Sequence, residues 1–69
     1  MADSIYKIIE VVGSSKESWE NAAKKAIERA SQSLRDLRVA EVLNQDIKIE
    51  DGKIDSFRTK LRLSFKFED

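Results

Sequence analysis

Residues 56–67 read SFRTKLRLSFKF, and their alternation decides the fold. Phe57, Thr59, Leu61, Leu63, Phe65 and Phe67 share one parity, and Ser56, Arg58, Lys60, Arg62, Ser64 and Lys66 the other. A period of two sustained this long predicts a strand with one face toward a core and one toward water. Just before it, Glu50-Asp51-Gly52-Lys53 carries the Asp-Gly signal of a tight hairpin. Residues 39–49, β-like in composition, are therefore its antiparallel partner strand.

At the other end, residues 5–12, IYKIIEVV, read as a first strand, with Gly13-Ser14-Ser15 as the turn that stops it. Ser14 and Glu17 stand in the S-x-x-E relation of a capping box, which predicts a helix over residues 16–35. Trp19, Ala22, Ala23, Ala26, Ile27, Ala30, Leu34 and Leu37 recur at spacings of three and four, while Glu20, Lys24, Lys25, Glu28, Arg29 and Gln32 fill the opposite side. The alanine-rich stripe lets a sheet approach closely, and Trp19 and Leu34 read as core residues at its ends. The fold class is α+β: one domain over residues 1–69, of order β-α-β-β, its three-stranded antiparallel sheet wrapped around one helix. A right-handed crossover puts the long third strand between the other two.

Length then implies assembly. A strand of about 13 residues spans roughly 40 Å, against about 30 Å for a 20-residue helix. The helix cannot cover the sheet, and Leu63, Phe65 and Phe67 at the far end argue against leaving the remainder wet. A chain of 69 residues is also near the lower limit for a self-sufficient core. With no Cys there is no disulfide to reinforce it, so association with copies of itself is the remaining means.

Composition narrows the functions. The absence of both His and Cys removes the usual nucleophile–base pairs and zinc sites, and no Gly-rich phosphate loop is present, so the chain reads as no enzyme. Thirteen basic and thirteen acidic residues cancel, so no global field favours nucleic acid or an anionic membrane. The basic stripe Arg58, Lys60, Arg62, Lys66 has Glu10 and Glu41 on the flanking strands as partners and no interleaved aromatic to stack bases. No apolar run could span a bilayer and Met1 to Tyr6 has no leader-like apolar core, so the expected location is the cytoplasm. Asp46, Glu50, Asp51 and Asp55 gather around the hairpin and could offer hard oxygen donors to Ca²⁺ or Mg²⁺, but without EF-hand spacing; solvated turn carboxylates are the favoured explanation, with Asp51 needed by the turn itself.

The runs YKIIEVVGSSKESWENAAKKAIERAS (6–31), LRDLRVAEV (34–42), IEDGKI (49–54) and LRLSFKFED (61–69) together resemble the dodecins over nearly the whole chain. That resemblance implies a homododecameric shell of 23 symmetry that sequesters small ligands without catalysis, most often riboflavin, FMN or related flavins held between subunits. In flavin-binding members the segment matching Val39-Ala40-Glu41-Val42 begins with a tryptophan that stacks on the isoalloxazine, and the position matching Arg58 is a glutamine that bonds its uracil-like edge. Val39 has no π-face, and stacking is worth about 1 to 3 kcal/mol. Arginine only donates, leaving the ring N3–H unpaired. A calcium-binding branch of the family is similar to this chain at both places. The expectation is a shell that binds or stores a small ligand or ion, with a non-flavin pocket lined by Val39, Gln45 and Arg58. Arg58 there meets an anionic ligand or an intersubunit carboxylate. Ca²⁺ is a candidate ion, with Asp46, Glu50 and Asp51 as candidate ligands. Flavin storage and a scaffold with no small ligand are the alternatives.

Overall fold

The computed structural model describes residues 5–66, so Phe67 lies outside the described residues. The order is β1 (Tyr6–Ser15), α1 (Trp19–Ser33), β2 (Leu37–Glu50) and β3 (Lys53–Lys66). The sheet runs β1-β3-β2 with both pairings antiparallel, so the strand with the strictest alternation is the central one. Leu61 and Leu63 are fully buried on its inner parity, and Thr59 beside them donates its hydroxyl to the Trp19 carbonyl at 2.9 Å. That bond satisfies a polar group that would otherwise be costly to bury.

The first strand ends later, and the helix begins later, than the sequence pattern predicts. Gly13 does not end β1; it pairs with Thr59, and the strand continues through Ser14 and Ser15. The glycine is there for space: a Cβ on it would lie 2.3 Å from the carbonyl oxygen of Ala22 and 2.9 Å from the Cβ of Ala26. Glycine and the alanine stripe together let α1 press onto β1. The N-cap is Ser18 rather than Ser14, its hydroxyl accepting from the Asn21 amide at 3.0 Å. The Glu17 amide expected for Ser14 goes to the Ser15 hydroxyl at 2.9 Å, and that hydroxyl in turn donates to Asn21 Oδ1 at 2.7 Å. At the other end Leu34 is already extended, with φ −111° and ψ 139°.

In the hairpin, Asp51 (φ 51°) and Gly52 (φ 73°) both take the left-handed conformation of a type I′ turn. Beyond it, Ile49 pairs with Ile54 but Lys48 pairs with Ser56, so Asp55 is an extra residue bulged out of β3. A second irregularity leaves Leu43 unpaired on β2, and a third leaves Arg38. β2 therefore keeps Ala40, Val42, Gln45 and Ile47 on the helix side and Val39, Glu41, Asn44, Asp46 and Lys48 on the outer side.

The helix lies over β1 and β3 and barely reaches β2. Only Ala22, Leu61 and Leu63 form a fully buried apolar core among the described residues. The subunit measures 55 × 20 × 14 Å with a radius of gyration of 14.3 Å, against about 11 Å for a compact chain of this length. Leu63, expected to need a partner subunit, is already buried in one chain, and Phe65 is half-buried. The apolar surface left over is elsewhere: Ile5, Tyr6, Ile8, Val12, Val39, Val42, Ile49 and Ile54 are all exposed.

Candidate functional site

Arg58 stands on the outer face of the central strand, opposite Asp46 of β2 and Ser14 of β1. Its guanidinium grips Asp46 with both arms, Nε donating to Oδ1 at 2.7 Å and Nη2 to Oδ2 at 2.8 Å. Two parallel charge-assisted bonds make this the best-formed polar contact on the outer face. The hydrogen bond from Arg58 holds the Asp46 carboxyl below its usual range, and Asp46 in turn raises Arg58. The backbone carbonyl of the same aspartate accepts from Trp19 Nε1 at 3.0 Å, and the indole packs edge-on against Phe57 at 5.1 Å. Trp19 thus serves the core, as its place on the apolar stripe implies, while tying the helix start to the strand that carries Asp46.

The bulge at Asp55 brings Asp46 to Arg58. Counting back from the type I′ turn alone sets Gln45 opposite Arg58; one extra residue on β3 slides the register so that Asp46 stands there and Gln45 falls opposite Thr59, on the helix side. Within one chain Gln45 and Arg58 therefore occupy different faces. Val39 does share the outer face with Arg58, as Ala40 and Val42 facing the helix requires. It pairs with Ser64, however, which places it about 20 Å along the strand from Arg58. Val39 borders a shallow hollow of about 250 Å³ with Ile27 and Leu37, whereas Arg58 borders a different, polar pocket of about 520 Å³ between the end of β1 and the hairpin. One subunit does not bring the three together.

The hairpin acids are dispersed as well. Asp46 is engaged by Arg58, Asp51 sits in the turn, and Glu50 pairs with Lys53 in the ladder. Asp55 takes Lys16 at 3.1 Å and Lys48 at 4.0 Å, and the hydrogen bond from Lys16 holds its carboxyl below the usual range. Among the described residues no three of Asp, Glu, His and Cys converge as a metal centre within one chain.

Lys60 and Arg62 of the basic stripe are paired with the acids expected on the flanking strands. Lys60 reaches Glu10 at 3.6 Å, and Arg62 bridges Glu10 and Glu41 at 3.5 Å each. Exposed pairs of this kind stabilise little, but they leave the stripe with few charges to offer a phosphate backbone. Two features escaped sequence reasoning: the partner of Arg58, hidden by a bulge, and the gathering of Lys16, Lys25 and Lys48 from three separate segments around the polar pocket.

No helix among the described residues is long and apolar enough to cross a membrane. A profile of the Dodecin family matches residues 5–68. The calcium dodecin of Mycobacterium tuberculosis is 48% identical over 64 residues, covering 91% of this chain and 89% of that one. Its crystal structure, described as that of a calcium-chelating antigen with a novel calcium-binding site, superposes with a TM-score of 0.84 at 47% identity over 94% of this chain and 93% of that chain. The dodecin of Streptomyces coelicolor superposes with a TM-score of 0.92 at 38% identity, covering 100% and 99% of the two chains.

Proposed function

The chain belongs to the dodecin family, and from that premise we propose that it is a non-catalytic subunit of a cytoplasmic homododecameric shell that binds and stores a small ion or ligand, Ca²⁺ rather than flavin. The observation that carries the reading against flavin is the closed Arg58–Asp46 pair. A flavin edge arriving at Arg58 meets a guanidinium already satisfied by a carboxylate, and it would have to break two charge-assisted bonds to engage it. At Val39 it meets an aliphatic side chain with no face to stack on. Kinship with a calcium dodecin supplies the ion.

Assembly is supported by the surface. Among the described residues eight large apolar side chains are exposed and three apolar residues are fully buried, more exposure than a chain this small leaves wet without a use. Between copies, Val39 of one subunit can meet Arg58 of another on the shared outer face, and carboxylates too dispersed in one chain for an ion can converge. Non-catalytic binding agrees with a chain that has no His or Cys.

The test is a pair of titrations on the assembled protein: equilibrium dialysis against Ca²⁺ in phosphate-free buffer, and riboflavin and FMN fluorescence. Saturable Ca²⁺ uptake with unquenched flavin is the expected result. Tight flavin binding with quenching, or no Ca²⁺ uptake, overturns the reading.

A further inference from the structure

The polar pocket between the end of β1 and the hairpin shares Arg58 with the proposed ligand site, but its lysines have no role in the calcium reading. Four cations line it: Lys16, Lys25 and Lys48 with Arg58. Lys16 and Lys48 share the one carboxylate of Asp55, at 3.1 and 4.0 Å. Arg58 is matched by Asp46. Lys25 makes no ion pair or hydrogen bond among the described residues. Four cations against two carboxylates leave an excess of two positive charges at one concavity, in a chain whose net charge is zero. Ser14 and Ser56 add hydroxyls to the wall.

We infer that this pocket receives a phosphate dianion, free or as the end of a small monoester. Two excess charges match a dianion, whereas a monocarboxylate would leave one cation unanswered. Ammonium groups and hydroxyls donate to phosphate oxygens without requiring the planar fork that Arg58 already commits to Asp46. A nucleic acid fits less well, since no aromatic side chain lines the pocket for a base to stack on and Lys60 and Arg62 of the neighbouring stripe are already paired with Glu10 and Glu41. A metal cation is repelled by the same charges. At about 520 Å³ the pocket exceeds the phosphate group itself, leaving room for the organic part of an ester, and Val12 is the apolar residue on its wall. The inference does not depend on the calcium reading.

Equilibrium dialysis of the assembled protein against inorganic phosphate and against phenyl phosphate, at low ionic strength with a chelator present, tests it. Both probes should saturate at one per subunit. Lys25→Ala should weaken binding by about tenfold, the loss of one charge-assisted contact. Lys24→Ala, on the same helix but off the pocket wall, should leave it unchanged. Tighter binding of the ester assigns the pocket to monoesters, and equal binding assigns it to free phosphate. Absence of saturable binding, or equal losses in the two lysine variants, overturns the inference. Because Ca²⁺ is excluded here and phosphate is excluded from the calcium dialysis, failure of one reading is distinguishable from failure of the other.

Discussion

At the scale of single residues the deciding feature is which partner Arg58 takes. A bidentate carboxylate in its own chain already engages it, and on the reading proposed against flavin Val39 offers no stacking surface. Val39→Trp together with Arg58→Gln should therefore raise riboflavin affinity by at least tenfold, read by fluorescence quenching; an unchanged affinity would show that these two positions do not meet across subunits. The ion pairs also set the acid response. Asp46 and Asp55 have lowered folded-state pKa values, so each contributes stability that is fully present above the unfolded value and is lost as pH falls through the folded one. With no His in the chain, no side chain titrates with an ordinary pKa between about pH 5 and 8. Thermal midpoints should be flat across that range and fall only below about pH 4. A transition near pH 6 would require a group that this reading leaves out.

Among the elements, α1 packs more on β1 than on either other strand, and Gly13 lets its backbone approach Ala22 closely. Gly13→Ala would drive a methyl into the Ala22 carbonyl, with only backbone able to yield. The expected loss is on the order of 1–3 kcal/mol, the usual cost of overpacking, measurable by urea denaturation. A variant as stable as the parent would show that the helix can lift from the strand at no cost. The β2–β3 hairpin is governed differently. Its type I′ turn sets an initial register, and the bulge at Asp55 resets it so that acids and bases, rather than Gln45 and Arg58, face each other. The bulge also presents Asp55 to Lys16 and Lys48, so the same extra residue shapes one wall of the phosphate pocket.

For the whole molecule, shape and surface point the same way. A 15-residue helix covers about 22 Å and the 14-residue strands about 47 Å, so half the sheet projects beyond its cover. Light scattering at micromolar concentration should give a mass near twelve subunits. Ile8→Asp, on the outer face and exposed in one chain, should shift that mass toward smaller species; a stable monomer of the parent protein would contradict the account of its surface.

The alternation in residues 56–67, the Asp-Gly turn and the alanine stripe were sufficient to establish element types, their order and the central place of β3, because period and turn chemistry are local properties. The acidic partners of the basic stripe were legible for the same reason, being set by strand adjacency. What local pattern could not resolve depended on contact between distant segments. Gly13 looked like a stop, yet it is the space a helix needs; Ser14 looked like a cap, yet the pairing of β1 with β3 draws it into the sheet and leaves Ser18 to cap. The candidate site of Val39, Gln45 and Arg58 was readable as positions but not as a place. A single unpaired residue in β3 decides which side chain Arg58 meets, and bulges are settled by packing and twist across the sheet rather than by the strand's own sequence.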